Sequence, residues 1–142
     1  MEYIKAFFLF IMLFLLGCGA NNPMACINEY CFNVEIVDQP LDQSIGLMQH
    51  DYLAEQDGML FVYETLANRP FWMYNMSFSI DIIWINQNLE VVSIVENAQP
   101  CHNQDCKIYD PNVNSQYVLE INSGMVDFLN IKKGDMFIFK NI

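Results

Sequence analysis

Basic side chains are scarce in this sequence: six Lys and Arg face 17 Asp and Glu, and there are only two His. The formal charge of −11 is unchanged when the first 17 residues are set aside, because these carry one acid, Glu2, and one base, Lys5. A surface of that sign repels a phosphate backbone, so no nucleic-acid partner is expected. Gly and Pro number only six and five, and no run is rich in Gly, Pro, Ser or Gln, which excludes a low-complexity chain. A content of 54% hydrophobic residues excludes a disordered one. No apolar run reaches the roughly 18 residues of a membrane-spanning helix. Also missing are a Gly-x-Ser-x-Gly nucleophile turn, a metalloprotease His pair, a P-loop and the dinucleotide glycine pattern. No internal repeat is visible. The length of 142 residues suits about one domain.

What is present begins with an address. Ala6 to Leu16 is an unbroken apolar run of 11 residues after Lys5, ending in Gly17-Cys18. As a helix it reaches roughly 17 Å, short of a bilayer core of about 30 Å, but this is the length of a signal-peptide core. The small residue before a cysteine resembles the bacterial lipoprotein signal, in which that cysteine is diacylated and becomes the mature N-terminus. The resemblance implies a signal peptide over 1–17, palmitate-type acylation of Cys18 and anchoring in the cell envelope. Gly19 after the cysteine would direct it, in a Gram-negative cell, to the outer membrane facing the periplasm. Residues 18–31 are expected as a lipidated tether, and 32–142 as the domain.

The remaining cysteines fit an oxidising compartment. Cys26 and Cys31, and Cys101 and Cys106, form two local pairs, an even number in an exported chain. The spacing favours local disulfides, each worth about 2 kcal/mol at best in the chain-entropy model. A tetrathiolate zinc site is the alternative, but such sites suit a reducing compartment; no metal or cofactor is assigned.

Hydrophobic patterning predicts strands over Phe32–Val37, Met59–Tyr63, Phe71–Asn75, Ile80–Ile85, Val91–Val95, Tyr117–Ile121 and Met136–Lys140. Ile80–Ile85 is nearly all apolar and reads as a central strand buried on both faces. Short helices are expected at Pro40–Met48 and, capped by Ser123, through Leu129. The polar stretch Gln99–Asn114 is long for a connection and reads as a disulfide-pinned loop. The fold class is therefore all-β: a small single-domain barrel-like fold of about seven short strands and one or two short helices.

Ordered blocks carry a second resemblance. They are Gly46-Leu47-Met48; Asp57-Gly58-Met59-Leu60-Phe61; Phe71-Trp72-Met73-Tyr74-Asn75 with Ile80-Asp81-Ile82-Ile83; Asn97-Ala98-Gln99-Pro100-Cys101 with Cys106 and Tyr109; and Leu119-Glu120, Gly124 and Gly134-Asp135. Over roughly Phe32–Phe139 the chain resembles the bacterial and archaeal domain-of-unknown-function 192 family. The resemblance implies a compact, mostly β domain, often exported, with no established activity. It departs from the family at Gln49-His50, where an aromatic and an Arg are usual, at Met76 in place of Thr, and at Ser79 in place of Pro.

Candidate site residues follow from chemistry. Asp81 lies inside an apolar strand, where a carboxylate is costly unless paired or hydrogen-bonded. It reads either as a binding or acid–base group or as an acceptor for backbone amides or Trp72. Asn75 could share its site, Trp72 and Met73 could wall a pocket, and Arg69 could partner Asp81 or an anion. Asp135 with Glu120 could form a carboxylate pair. The functional expectation is a lipid-anchored envelope domain that binds a small molecule or an envelope protein without catalysis. The alternative is an envelope hydrolase using Asp81 with His50 or His102. A lesser one is copper handling by Met48, Met59, Met73 and Met76 with those histidines.

Replacing the anchor tests the address. Cys18→Ser should move the protein from the membrane pellet to the soluble fraction, because each buried acyl methylene contributes about 0.8 kcal/mol. Unchanged pelleting, with no acyl mass on the wild type, would sink the lipoprotein expectation.

Overall fold

The computed structural model describes residues 22–103 and 105–142. The signal-peptide stretch 1–17, Cys18 and the start of the tether lie outside the described residues. In chain order the elements are β1 (Met24–Ile27), β2 (Tyr30–Val37), α1 (Pro40–Ile45) and a 3-10 turn (Gly46–Gln49). Then come β3 (Asp57–Asn68), β4 (Phe71–Trp72), β5 (Ile80–Ile85), β6 (Val91–Ala98) and β7 (Ile108–Tyr109). β8 (Asn114–Asn122), α2 (Met125–Leu129) and β9 (Ile138–Lys140) complete the described chain.

The mostly β expectation holds, with nine strands among the described residues where about seven were expected. The two extra ones, β1 and β7, are four and two residues long, too short for alternation to register. One of them, β1, corrects the tether: the stretch expected to run to residue 31 enters the sheet at Met24, pairing with β2 and β9. Cys26 and Cys31 face each other across the β1–β2 hairpin and are bridged, as are Cys101 and Cys106.

Seven strands form one sheet in the order β6-β5-β8-β3-β2-β1-β9, and β4 pairs with β7 apart from it. The sheet curls into a half-barrel. At one end its two edges meet: Glu90 bridges Met136, Val91 N–H donates to Asp135 O at 2.8 Å, and Phe137 N–H donates to Leu89 O at 2.9 Å. Closing the edges in this way removes unpaired strand groups.

β2 and β3 run parallel, and parallel neighbours need a crossover. The segment between them supplies it as α1 and the 3-10 turn, laid over one face of the sheet. The single helix expected over Pro40–Met48 is divided at Gly46, whose φ is +50° and where a Cβ would stand 3.2 Å from the Phe61 ring. Gln43 Nε2 ties α1 down by donating to Val62 O at 2.9 Å and Val37 O at 3.3 Å.

β5 lies between β6 and β8 with all six residues buried, as its sequence predicts. Register then assigns the faces. Asp81 pairs with Ile121, Ile83 with Leu119 and Leu60 with Leu119, so these point into the concave core, together with Phe32, Val91 and Phe137. Ile82, Glu120 and Met59 point the other way, into a second core with Phe61, Met73, Met76 and Trp84.

Asp81 links three elements inside the first core. It is fully buried, and its carboxylate accepts backbone N–H bonds from Asn97 at 2.8 Å, Gly124 at 3.0 Å and Val126 at 2.9 Å. α2 is therefore capped by a residue more than forty positions away in sequence. Ser123, expected as that cap, instead donates its hydroxyl to Asn97 Oδ1 at 2.9 Å, and Gly124 takes the N-cap place at φ +90°.

Removing the carboxylate leaves three backbone amides without their acceptor, that of Val126 buried and those of Asn97 and Gly124 partly so. Asp81→Ala should lower unfolding free energy by on the order of 3 kcal/mol, and Asp81→Asn should lose much of it too, since the amide nitrogen faces N–H donors. Urea unfolding of both variants measures this; wild-type midpoints would remove Asp81 from its structural role.

Candidate functional site

Glu120 sits in the second core as the counterpart of Asp81 on the opposite face. It is only 5% exposed, and its Oε2 is buried with no hydrogen-bond partner. Its neighbours across the sheet are Met59 and Ile82, neither of which can donate. Burial alone pushes its carboxyl up to about 8, so it carries a proton at neutral pH. β8 cannot turn it away, because the alternation that buries Leu119 and Ile121 on one face sends Glu120 to the other. The neighbouring strand also approaches closely: a Cβ on Gly58 would stand 3.0 Å from Glu120 O.

Glu120 also lines a small pocket of about 40 Å³. Its walls include Leu47 and Met48 from the 3-10 turn, Phe61 from β3, Phe71 and Trp72 from β4, and Met76. Gln43 and Ser44 of α1 are its other polar side chains. Trp72 is 49% exposed and stacks at a tilt on Tyr74, with ring centroids 5.3 Å apart, forming a rim. The rim is braced by the disulfide loop: Trp72 pairs with Ile108, Phe71 with Tyr109, and Asn75 N–H donates to Cys101 O at 2.8 Å. The expected strand Phe71–Asn75 ends at Trp72; Tyr74 bridges Cys101 apart from it, and Asn75 takes φ +56°.

Tyr63 and Arg69 lie beside the pocket. The Arg69 guanidinium stands 4.0 Å over the Tyr63 ring and donates to Thr65 O at 2.8 Å, so it is committed locally and not to Asp81. Burial pushes the Tyr63 phenol up to about 12, Arg69 pulls it down and Glu120 pushes it up.

The other expected site residues do not converge. Asp81 lines neither described cavity, and Asn75 is exposed in the loop before β5, so the two share no site. Met73 is core. Of the expected wall pair, Trp72 alone lines the pocket. His50 lines a separate open cleft of about 670 Å³, with Nε2 3.4 Å from Glu35 Oε2, and His102 is exposed within the disulfide loop. Met48, Met59, Met73 and Met76 do gather in the second core, but neither histidine joins them. Among the described residues no group of three or more His, Cys, Asp or Glu is placed to hold a metal. Glu120 and Asp135 are not a pair, since Asp135 accepts from Lys132 N–H at 2.7 Å in the turn before β9. Glu120 carried the same signal as Asp81, an acid inside an apolar strand, with Val118, Leu119 and Ile121 around it.

A curled, mostly β domain with one neutral acid in an apolar pocket is thus the class that the geometry defines. Residues 24–139 match the family described as an uncharacterised ACR, DUF192, and the chain belongs to it. It is 33% identical over 102 residues to a UPF0127 protein of Thermococcus sibiricus, covering 72% of this chain and 62% of that protein. A UPF0127 protein of Thermococcus kodakarensis is 26% identical over 103 residues, with 72% and 62% covered. The chain thus spans about 62% of the length of these curated relatives. A crystal structure of a protein of unknown function from Novosphingobium aromaticivorans is similar, at 29% identity and a TM-score of 0.74, covering 82% of this chain and 83% of that one. So is one from Sinorhizobium meliloti, named as a candidate transcription regulator, at 28% identity and a TM-score of 0.75, covering 82% and 91%.

Glu120 gives stability a pH dependence. Its folded-state carboxyl lies above the usual 4.5, so the folded protein holds a proton that the unfolded chain releases. Stability should fall as pH rises from about 4.5 to about 8, by a few kcal/mol, and level off above. Glu120→Gln should flatten that part of the profile and exceed wild type at pH 8.5. Parallel urea titrations compare them; superimposable profiles would contradict the buried neutral acid.

Proposed function

We propose that this protein is a lipid-anchored domain of the cell envelope that binds a small molecule, without catalysis, in the pocket beneath Trp72. The observation that carries the reading is Glu120: a buried carboxyl, without a partner at Oε2, set among apolar walls. A pocket with apolar sides and one placed polar group is the usual form of a ligand site. The adaptable side chains of Met48 and Met76 would let a narrow pocket open around its occupant. A soluble envelope protein that inserts a side chain here is the variant of this reading in which the partner is larger.

Hydrolysis by Asp81 with His50 or His102 is less well supported. An acid and a base must reach one accessible cleft, and Asp81 spends its lone pairs on three backbone amides. The Sinorhizobium relative's printed role does not carry over easily either, since a charge of −11 opposes contact with DNA.

Native mass spectrometry of full-length protein purified from its own membrane tests the binding reading. Wild type should carry a small-molecule adduct that Trp72→Ala, a change at a half-exposed rim residue, reduces at least tenfold (about 1.4 kcal/mol). An adduct equally abundant in Trp72→Ala would place the ligand elsewhere, and product formed from the bound molecule would favour an enzyme.

A further inference from the structure

We propose that the pocket beneath Trp72 takes a primary ammonium group carried on a short apolar chain, with Glu120 as its counter-ion. This rests on the reading that the pocket binds a small molecule, and it names the chemistry of that molecule.

The protein supplies no cation of its own here. None of the residues lining the pocket is basic, and Arg69 is held over Tyr63 and against Thr65. Glu120 thus combines a buried oxygen that has no protein partner with a place in the pocket wall, so a donor entering the pocket is positioned to complete it. An anionic ligand would have only the Glu120 proton to hold it, since Gln43 and Ser44 already donate to the carbonyls of Val37, Val62 and Leu41 and no basic side chain lines the pocket. Aromatic rings at the mouth favour the opposite sign, because the faces of Trp72 and Phe71 attract cations. The overall charge of −11 raises the local concentration of cations around the whole domain. Size narrows the head group. About 40 Å³ is close to the share of one water molecule, which suits a primary ammonium better than a bulky quaternary one. The space holds the head group alone, so the methylenes enter by displacing the adaptable side chains of Met48 and Met76.

The proton balance of such binding is definite. Free Glu120 is protonated at neutral pH, so an incoming ammonium displaces that proton to solvent and leaves an ammonium–carboxylate pair. Few other groups face it. β3 presents Tyr63, which stays neutral across this range; β5 presents Ile80, Ile82 and Trp84; α1 presents Gln43 and Ser44; the loop after β4 contributes Tyr74 at the rim. The affinity should therefore follow the ionised fraction of Glu120 alone until the amine loses its own proton near about pH 10.

The test is calorimetric titration of full-length protein with n-butylamine, n-butanol and butyrate from pH 6 to pH 9, in buffers of unlike ionisation heat. Butylamine should bind about fifty-fold more tightly at pH 8 than at pH 6, releasing about one proton per ligand at pH 6. Butanol should bind at least tenfold more weakly at pH 8, and butyrate not at all. Glu120→Gln should lose the pH slope and bind the amine at least tenfold more weakly, and Trp72→Ala should weaken it without altering the slope. Butanol binding as tightly as butylamine, and lost in Trp72→Ala, would keep the pocket and overturn the ammonium. A pH slope surviving in Glu120→Gln would overturn the role of Glu120. Wild type binding none of the three probes would overturn both the ammonium and the pocket.

Discussion

The carboxylate of Asp81, accepting three backbone N–H groups at 2.8 to 3.0 Å, is the contact on which the arrangement of the concave core depends. It holds the end of β6 through Asn97 and the first turn of α2 through Gly124 and Val126. α2 in turn brings Met125 and Val126 onto the core that Leu60, Ile83 and Leu119 form. A five-residue helix cannot hold itself together in water, so its position follows from this cap and from the apolar surface beneath it. Asn97 takes φ +51° to deliver its amide, and its own side chain accepts from Ser123 and Gln99, which ties the β6 end to the α2 approach.

The second core is organised by a different constraint. A parallel pair at the centre of the sheet, β2 with β3, requires the chain to cross over one face, and that crossover becomes the lid of the pocket. Gly46 lets the lid turn tightly against Phe61, while Gln43 fixes it to the carbonyls of both parallel strands. On the other side, the Cys101–Cys106 loop braces the aromatic rim through Ile108 and Tyr109. A disulfide that contributes little to global stability thus shapes the entrance to the pocket lined by Glu120, the one buried acid among the described residues with an unpartnered carboxyl oxygen.

Two acids in adjacent strands therefore meet opposite fates. Asp81 is surrounded by donors and does structural service; Glu120, one register step along on the neighbouring strand, faces methionines and rings. Leaving a carboxyl in that state lowers stability at neutral and alkaline pH. Under the proposed binding role, recognition rather than packing selects the residue.

Much of the architecture was legible in the sequence because it rests on local periodicity. The all-apolar stretch Ile80–Ile85, the hairpin to Val91, the strand around Leu119 and the local cysteine pairs all behave as their spacing requires. The site was legible only as a kind of residue: an acid in an apolar strand. Which of Asp81 and Glu120 was satisfied by the backbone and which was left without a partner could not be read locally, since Asp81 is flanked by Ile80 and Ile82 and Glu120 by Leu119 and Ile121. That difference is set by donors from Asn97, Gly124 and Val126, brought to Asp81 by chain reversals, and by the crossover that walls Glu120 with apolar side chains and with Gln43 and Ser44, whose donors already serve backbone carbonyls. Strands as short as β1 and β7 likewise form because a partner edge lies beside them, not because their own residues demand it. Residue pattern determined the faces of the sheet; only the tertiary fold decided which polar group on each face would be satisfied, because hydrogen-bond partners distant in sequence are a property of three-dimensional proximity.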